Sequence, residues 1–244
     1  MPFEVAPVQM ADLPEVARID QAAMKNNGIT QAIGIATSAQ NMDRTTLFLE
    51  YIARDFDKDK ETFWKVIDTD TGEIVSVAKY SFNYRTEVAR PRGSLSIDEA
   101  NLQDEGQGVD DILAQGQTSP ATKYDPDGSL DQVMSTLFES WANFARRNIQ
   151  GKPHAILHFI ATHPKYQRRG AATLLLRKGA EKADEAGGLD IFLQASAEGL
   201  PLYVKAGYEV LETHSLDLSS FDVNKVEIRQ CMKRPALEGS GVGL

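Results

Sequence analysis

The sequence is poor in cysteine, which limits the chemistry available to it. Cys231 is the only cysteine among 244 residues, so an intramolecular disulfide and a thiolate metal cluster are both excluded. It lies between Gln230 and Met232 in a segment typical of a strand, where a small buried hydrophobe is the expected role. We therefore expect neither a metal site nor a cysteine nucleophile.

Long apolar runs and an excess of basic charge are also missing. No segment approaches the ~18 apolar residues of a membrane span, and the first residues lack the basic leader and apolar run of a secretory signal. Lys and Arg number 26 against 35 Asp and Glu, a formal net charge of −9, which argues against nucleic-acid binding. We expect a cytoplasmic monomer or homodimer with no nucleic-acid or membrane partner. The acidic surface mildly favours a cationic partner such as an amine, although solubility alone also explains it.

Apolar periodicity and turn residues predict alternating strands and helices in one domain, residues 1–234. Strands are expected over residues 3–8, 62–67, 74–82, 155–162, 189–195, 208–218 and 226–233. Asp12 is expected to cap a first helix, and further helices are expected over residues 38–56, 129–147, 170–186 and 200–206. The helix over 129–147 carries a stripe at helical spacing that we expect to face the core: Leu130, Val133, Met134, Leu137, Phe138, Trp141 and Phe144.

Two segments depart from this pattern. Residues 85–128 are rich in acids, glycine and proline, and we interpret them as an inserted, partly flexible loop region. Residues 235–244 are small and glycine-rich, which predicts a disordered tail.

The segment from His163 to Ala172 joins a predicted strand to a predicted helix and carries the chemistry. A helix N-terminus leaves N–H groups unpaired and has a partial positive charge, which suits a pyrophosphate. Gly170 allows a close approach of the backbone to a ligand, and Arg168 and Arg169 can add charge-assisted phosphate contacts. The alternative is an exposed basic turn at the start of an ordinary helix. The segment is neither a Walker loop nor a dinucleotide fingerprint, because it lacks their glycine and lysine spacing.

In this context the stretch from Ile156 to Leu176 resembles motif A of the GNAT superfamily of N-acetyltransferases. The resemblance implies that the loop holds the pyrophosphate of coenzyme A and that the preceding strand binds its pantetheine arm. The implied coenzyme residues are Ile160, Ala161, Thr162, Gln167, Arg168, Arg169, Gly170, Ala171, Ala172 and Thr173. Ala172 is a departure, because glycine is commoner there in the family.

The segment from Leu200 to Tyr208 resembles motif B of the same family. There the tyrosine that matches Tyr203 often protonates the leaving thiolate, and a phenol has a suitable pKa for that task. The alternative is a core tyrosine whose hydroxyl is bonded locally. Many relatives have an asparagine seven residues earlier as a coenzyme contact; this chain has Ser196 there, which the resemblance implies as a coenzyme residue.

A base must take a proton from the amine nucleophile, and His158 is the strongest candidate. A strand's period of two predicts that His158 shares a face with Ile160 and Thr162. The arylalkylamine acetyltransferases, which this pattern resembles, carry a histidine there, but their second histidine is replaced by Ile156. The alternative is a buried structural histidine. Acids such as Glu50 are further candidates that the sequence does not place.

Together these motifs predict a mixed α/β fold with a central, mostly antiparallel sheet of six or seven strands. Helices would cover both faces, and two middle strands would splay apart to form an acyl-CoA cleft. The implied activity is direct acetyl transfer from acetyl-CoA to a primary amine, which we expect to belong to a small molecule. The alternatives are acetylation of a protein lysine or N-terminus, and a non-catalytic acyl-CoA-binding module.

Overall fold

Seven strands of the chain form a single sheet in the order β1-β2-β3-β4-β5-β7-β6. The computed structural model describes residues 2–39, 43–59, 62–83, 129–149 and 151–237. The strands are β1 (Phe3–Pro7), β2 (Phe63–Asp68), β3 (Ile74–Asn83), β4 (His154–Thr162), β5 (Asp190–Ser196), β6 (Glu209–Asp217) and β7 (Val226–Arg234). The helices are α1 (Leu13–Ala23), α2 (Gly28–Ala39), α3 (Arg44–Asp59), α4 (Ser129–Asn148), α5 (Ala171–Glu185) and α6 (Leu200–Lys205). The predicted mixed fold with a mostly antiparallel, seven-stranded sheet is confirmed.

One pair of neighbouring strands departs from the antiparallel pattern and separates along its length. β4 and β5 run parallel, and their pairing covers only His154–Ile156 and Asp190–Phe192. β4 continues to Thr162 beside β3, and β5 continues to Ser196 beside β7. The inner edges of these two strand ends therefore face a gap in the sheet, and β4 and β5 are the two middle strands predicted to splay.

Both faces of the sheet are covered by helices. On one face, α5 and α6 pack on a cluster that includes Tyr80, Leu157, Leu175 and Met232. Gly179 lets α5 approach Tyr80, because a Cβ there would lie 2.4 Å from the tyrosine ring. On the other face, α1 and α3 cover one cluster, and α4 packs on Ile156, Phe192 and Cys231. Each helix thus buries an apolar face against one side of the sheet.

Some predicted elements need correction. The helix expected over residues 38–56 is in fact divided between α2 and α3, and Asp43 between them is not helical. α2 was missed because its sequence is apolar without clear amphipathic spacing, and its buried Ala32 and Ala36 pack beside β6 and the loop that follows it. In the predicted apolar stripe of α4, Trp141 and Phe144 are buried but Phe138 is 43% exposed.

The predicted insertion, residues 85–128, lies outside the described residues, as does most of the predicted tail. Among the helices that the structure does describe, none is long and apolar enough to cross a membrane. Cys231 is fully buried, and burial raises the pKa of its thiol to about 11, so it is a neutral core residue at physiological pH.

Candidate active site

The loop between β4 and α5 has the backbone geometry of an anion site. Gly170 precedes the helix with φ +93°, and Arg168 also has a left-handed φ of +62°. Leu174 is the first residue in the helix whose N–H donates back, to Gly170 O at 3.2 Å. The N–H groups of Ala171, Ala172 and Thr173 therefore lie at the open helix N-terminus, where an anion is favoured. A Cβ on Gly170 would meet nothing within 4 Å, so the approach to this terminus is open.

The two arginines of the loop are placed differently. The Arg168 side chain is exposed. Arg169 instead lies between the rings of Phe3 and Tyr166, with its Nη2 3.7 Å from Asp68 Oδ2. The sequence predicted phosphate contacts for both side chains. In the structure, the Arg169 guanidinium instead contacts Phe3 and Asp68 at the edge of the sheet.

The end of β4 presents backbone groups to the gap between β4 and β5. His163 N–H donates to Val75 O on β3 at 3.0 Å. Because backbone groups alternate in direction along a strand, the N–H groups of Thr162 and Ile160 point the other way, toward the gap. Ala161 is buried on the sheet face opposite Ile160. Gln167 Nε2 donates to Thr162 O at 3.2 Å, which ties the loop to the strand.

Tyr203 lies on the same face of the sheet as α5. It is 8% exposed, and its ring meets that of Tyr208 edge-on with centroids 5.8 Å apart. Burial raises the pKa of Tyr203 above its usual value, and the nearby Arg229 charge opposes that shift. The phenol is therefore protonated at neutral pH, as a general acid must be. Ser196 Oγ accepts from Gly199 N at 3.3 Å and so holds the turn that leads into α6.

The predicted face of His158 is wrong. The β3–β4 register passes from Lys79 opposite Phe159 to Tyr80 opposite Leu157, which leaves His158 as the extra residue of a β-bulge. Its Nε2 lies 2.8 Å from Ser81 Oγ, and Ser81 is the register partner of Ile156, a residue packed under α4. His158 therefore lies on the sheet face that α1, α3 and α4 cover, which we call the α1–α4 face. Ile160 lies on the opposite face, which α5 and α6 cover and which we call the α5–α6 face. A bulge interrupts the period of two, and no local sequence signal marks it.

His158 is exposed beside the gap, so it is not the buried histidine of the alternative interpretation. The buried histidine of this strand is His154, whose Nδ1 lies 2.7 Å from Lys152 O and whose Nε2 lies 2.9 Å from Asn83 Nδ2. Burial lowers the pKa of His154, and both of its ring nitrogens are occupied by structural bonds. Glu50 is exposed on α3.

Sequence reasoning missed several residues around the site. Two of them lie near the gap on the α1–α4 face: Ser81 and Arg229. Three others contact the loop from the edge of the sheet: Phe3, Asp68 and Glu73. These residues are distant from the motifs along the chain, so only the strand register reveals them. Within the described ranges, no group of three or more His, Cys, Asp or Glu side chains is placed to hold a metal ion.

Comparison with known proteins agrees with the geometry. Residues 136–208 match the model of the acetyltransferase (GNAT) family. Arylalkylamine N-acetyltransferase 2 from Aedes aegypti has 12% sequence identity and a TM-score of 0.65, with 96% of this chain and 99% of that chain covered. Polyamine N-acetyltransferase from Drosophila melanogaster has 12% identity and a TM-score of 0.61, with the same coverage. A search of curated proteins finds no significant sequence match.

The family match, the splayed β4–β5 pair and the loop before α5 define the class of this protein. Over residues 136–208 the chain carries an acetyltransferase domain of the GNAT family, and by class it is an N-acetyltransferase. At these low identities the solved structures support the fold, and the acceptor has to be argued from this chain's own residues.

Proposed function

We propose that this protein transfers an acetyl group from acetyl-CoA directly to the primary amine of a small molecule. The observation that carries the proposal is the placement of an open helix N-terminus and a buried, protonated tyrosine on one face of a sheet whose strands part beside them. The helix N-terminus would bind the anionic phosphates of the thioester, and the tyrosine would protonate its leaving thiolate.

The coenzyme would lie along the gap. The backbone N–H groups of residues 168–173 and the side chain of Arg168 would hold the pyrophosphate, because unpaired N–H groups and a positive helix end favour an anion there. Gln167, Ala171, Ala172 and Thr173 shape this loop. The gap-facing N–H groups of Ile160 and Thr162 would bind the pantetheine arm, and Ser196 borders the gap from β5.

The transfer itself would use two acid–base groups and one backbone donor. The neutral amine attacks the thioester carbonyl, and a backbone N–H near Ile160 stabilises the negative charge that develops on its oxygen. As the C–S bond breaks, Tyr203 donates its proton to the sulfur. Before this attack, His158 takes a proton from the ammonium form of the substrate, directly or through water, and the proton that the nitrogen loses as the amide forms replaces the one given up by Tyr203. Cys231 plays no part, because its thiol is buried and protonated.

The two faces of the gap divide these roles. The loop and Tyr203 lie on the α5–α6 face, whereas His158 lies on the α1–α4 face, so the amine would enter from the latter. The solved neighbours named as arylalkylamine and polyamine acetyltransferases support a small amine as the acceptor class.

The test is a thiol-release assay with acetyl-CoA across a panel of aryl, alkyl and polyamine acceptors, together with lysine and N-terminal peptides. Mass spectrometry would identify each product. Activity on a small amine at least ~10-fold above that on any peptide supports the proposal. Preference for a peptide would contradict the acceptor class, and binding of acetyl-CoA with no turnover on any acceptor would indicate a non-catalytic module.

A further inference from the structure

The Arg169 side chain contacts two aromatic rings and a carboxylate, whereas the side chain of its neighbour Arg168 is exposed. Its Cζ lies 5.4 Å from the centroid of the Phe3 ring and 5.1 Å from that of Tyr166. Its Nη2 lies 3.7 Å from Asp68 Oδ2. The guanidinium is therefore held between two rings and beside a carboxylate, an arrangement that uses both its planarity and its charge.

The partners of Arg169 are themselves fixed to the sheet. Phe3 and Asp68 are register partners across β1 and β2. Asp68 is 4% exposed, and its Oδ1 accepts from Asp70 N at 3.1 Å. Tyr166 is 5% exposed and donates its hydroxyl to Glu73, which follows the β2–β3 turn. Arg169 thus links the loop to two strands, β1 and β2, that take no part in the proposed chemistry.

Using Arg169 to bind a phosphate would break this linkage. If the guanidinium moved away from both rings to reach a phosphate, the buried Asp68 carboxylate would lose its positive neighbour, which is costly for a charge with little access to water. Arg168 faces no such penalty, since its side chain is exposed and makes no ion pair among the described residues. Two adjacent arginines are therefore suited to different tasks.

We propose that Arg169 is a positioning residue: it fixes the backbone of the loop over residues 167–173 to the β1–β2 edge, while Arg168 supplies the side-chain charge for the phosphates. The inference rests on the proposed coenzyme site. It adds that coenzyme affinity depends on Asp68 and Phe3, which lie outside that site.

The experiment compares Arg169→Met, Asp68→Asn, their double variant and the matched control Arg168→Met. Coenzyme A affinity is measured by calorimetry at about 0.05 M and about 0.3 M salt. Salt weakens the attraction between the Arg168 charge and a phosphate, whereas it does not change the backbone conformation of the loop. We expect Arg168→Met to lose affinity mainly at low salt, and Arg169→Met to lose about tenfold at both.

Two further readouts separate positioning from a loss of folding. In the Arg169→Met background, Asp68→Asn should change affinity less than about twofold, because the pair is already broken. Steady-state kinetics well below the melting temperature should show a raised KM for acetyl-CoA with kcat within about twofold of wild type. If Arg169→Met does not fold, Phe3→Leu keeps the ion pair, removes one ring and should raise the KM about threefold.

The outcomes distinguish failure of the proposed function from failure of the positioning role. A wild-type protein that binds no coenzyme A overturns the proposed function and this inference together. A wild-type protein that binds it, with Arg169→Met unchanged or as salt-sensitive as Arg168→Met, overturns the positioning role alone.

Discussion

The two faces of the sheet beside the β4–β5 gap are built in different ways. On the α5–α6 face, the loop and Tyr203 come from two short segments of the chain, and their neighbours Tyr80, Tyr166 and Tyr208 are all buried. On the α1–α4 face, His158 and Ser81 are brought together from two strands that a long segment separates, and the His158 side chain is exposed. Under the proposed function, the first face would bind the coenzyme and the second would meet the amine acceptor. The proposed coenzyme side is therefore lined by buried tyrosines, whereas the proposed base on the acceptor side is exposed.

The largest effect should come from the α5–α6 face. Tyr203→Phe removes the proton donor but keeps the ring, so kcat should fall about 10²- to 10³-fold with coenzyme affinity unchanged. Tyr208→Phe is the matched control, because Tyr208 lies in the same buried cluster and its ring contacts that of Tyr203. Kinetics and calorimetry on both variants check this, and equal losses would remove the case for Tyr203 as the acid.

The next effect concerns binding on that same face. Gly170→Glu puts a carboxylate at the helix N-terminus where the phosphates would lie, and coenzyme affinity should fall about 100-fold. Gly170→Ala controls for the backbone, because φ +93° strains any Cβ and should cost stability by ~1–2 kcal/mol. Calorimetry and thermal melts separate the two costs. If both variants bind coenzyme A alike, the phosphates do not lie at this terminus.

The α1–α4 face should respond more modestly and in a pH-dependent way. His158→Gln should lower kcat/KM about 10- to 30-fold near neutral pH. The loss should shrink as pH rises, because a deprotonated amine needs no base. Ser81→Ala is the control for the contact between Nε2 and Oγ, and it should have a smaller effect. A deficit that is constant across a pH–rate profile would argue that His158 acts in another way.

The smallest effect should come from His154, the buried histidine of β4. Burial lowers the pKa of His154, so the unfolded chain binds more protons than the fold below pH ~6.5. Its stabilising contribution is therefore complete above that pH and is lost as pH falls toward the lowered pKa. His154→Gln should flatten this dependence by ~1 kcal/mol or less in urea unfolding between pH ~7.5 and ~5.5. An unchanged slope would show that other groups dominate.

Much of the fold could be predicted because its signals are local. Turn residues bound the β2–β3 hairpin, Gly170 marks the start of α5, and Gly187 follows its end. Each reflects backbone geometry that neighbouring residues impose within a few positions. α2 escaped prediction because its apolar sequence has no polar face that would reveal a helical period.

The candidate site was predictable only in part, for the same reason. By itself, the sequence determined most of the element order and the strand–loop–helix arrangement around Gly170, since these follow from contiguous segments. Only the tertiary structure decided the face of His158, through a bulge set by pairing with β3, and the separate placement of Arg168 and Arg169, through contacts with β1 and β2. Strand register depends on partners distant along the chain, and no local pattern specifies them.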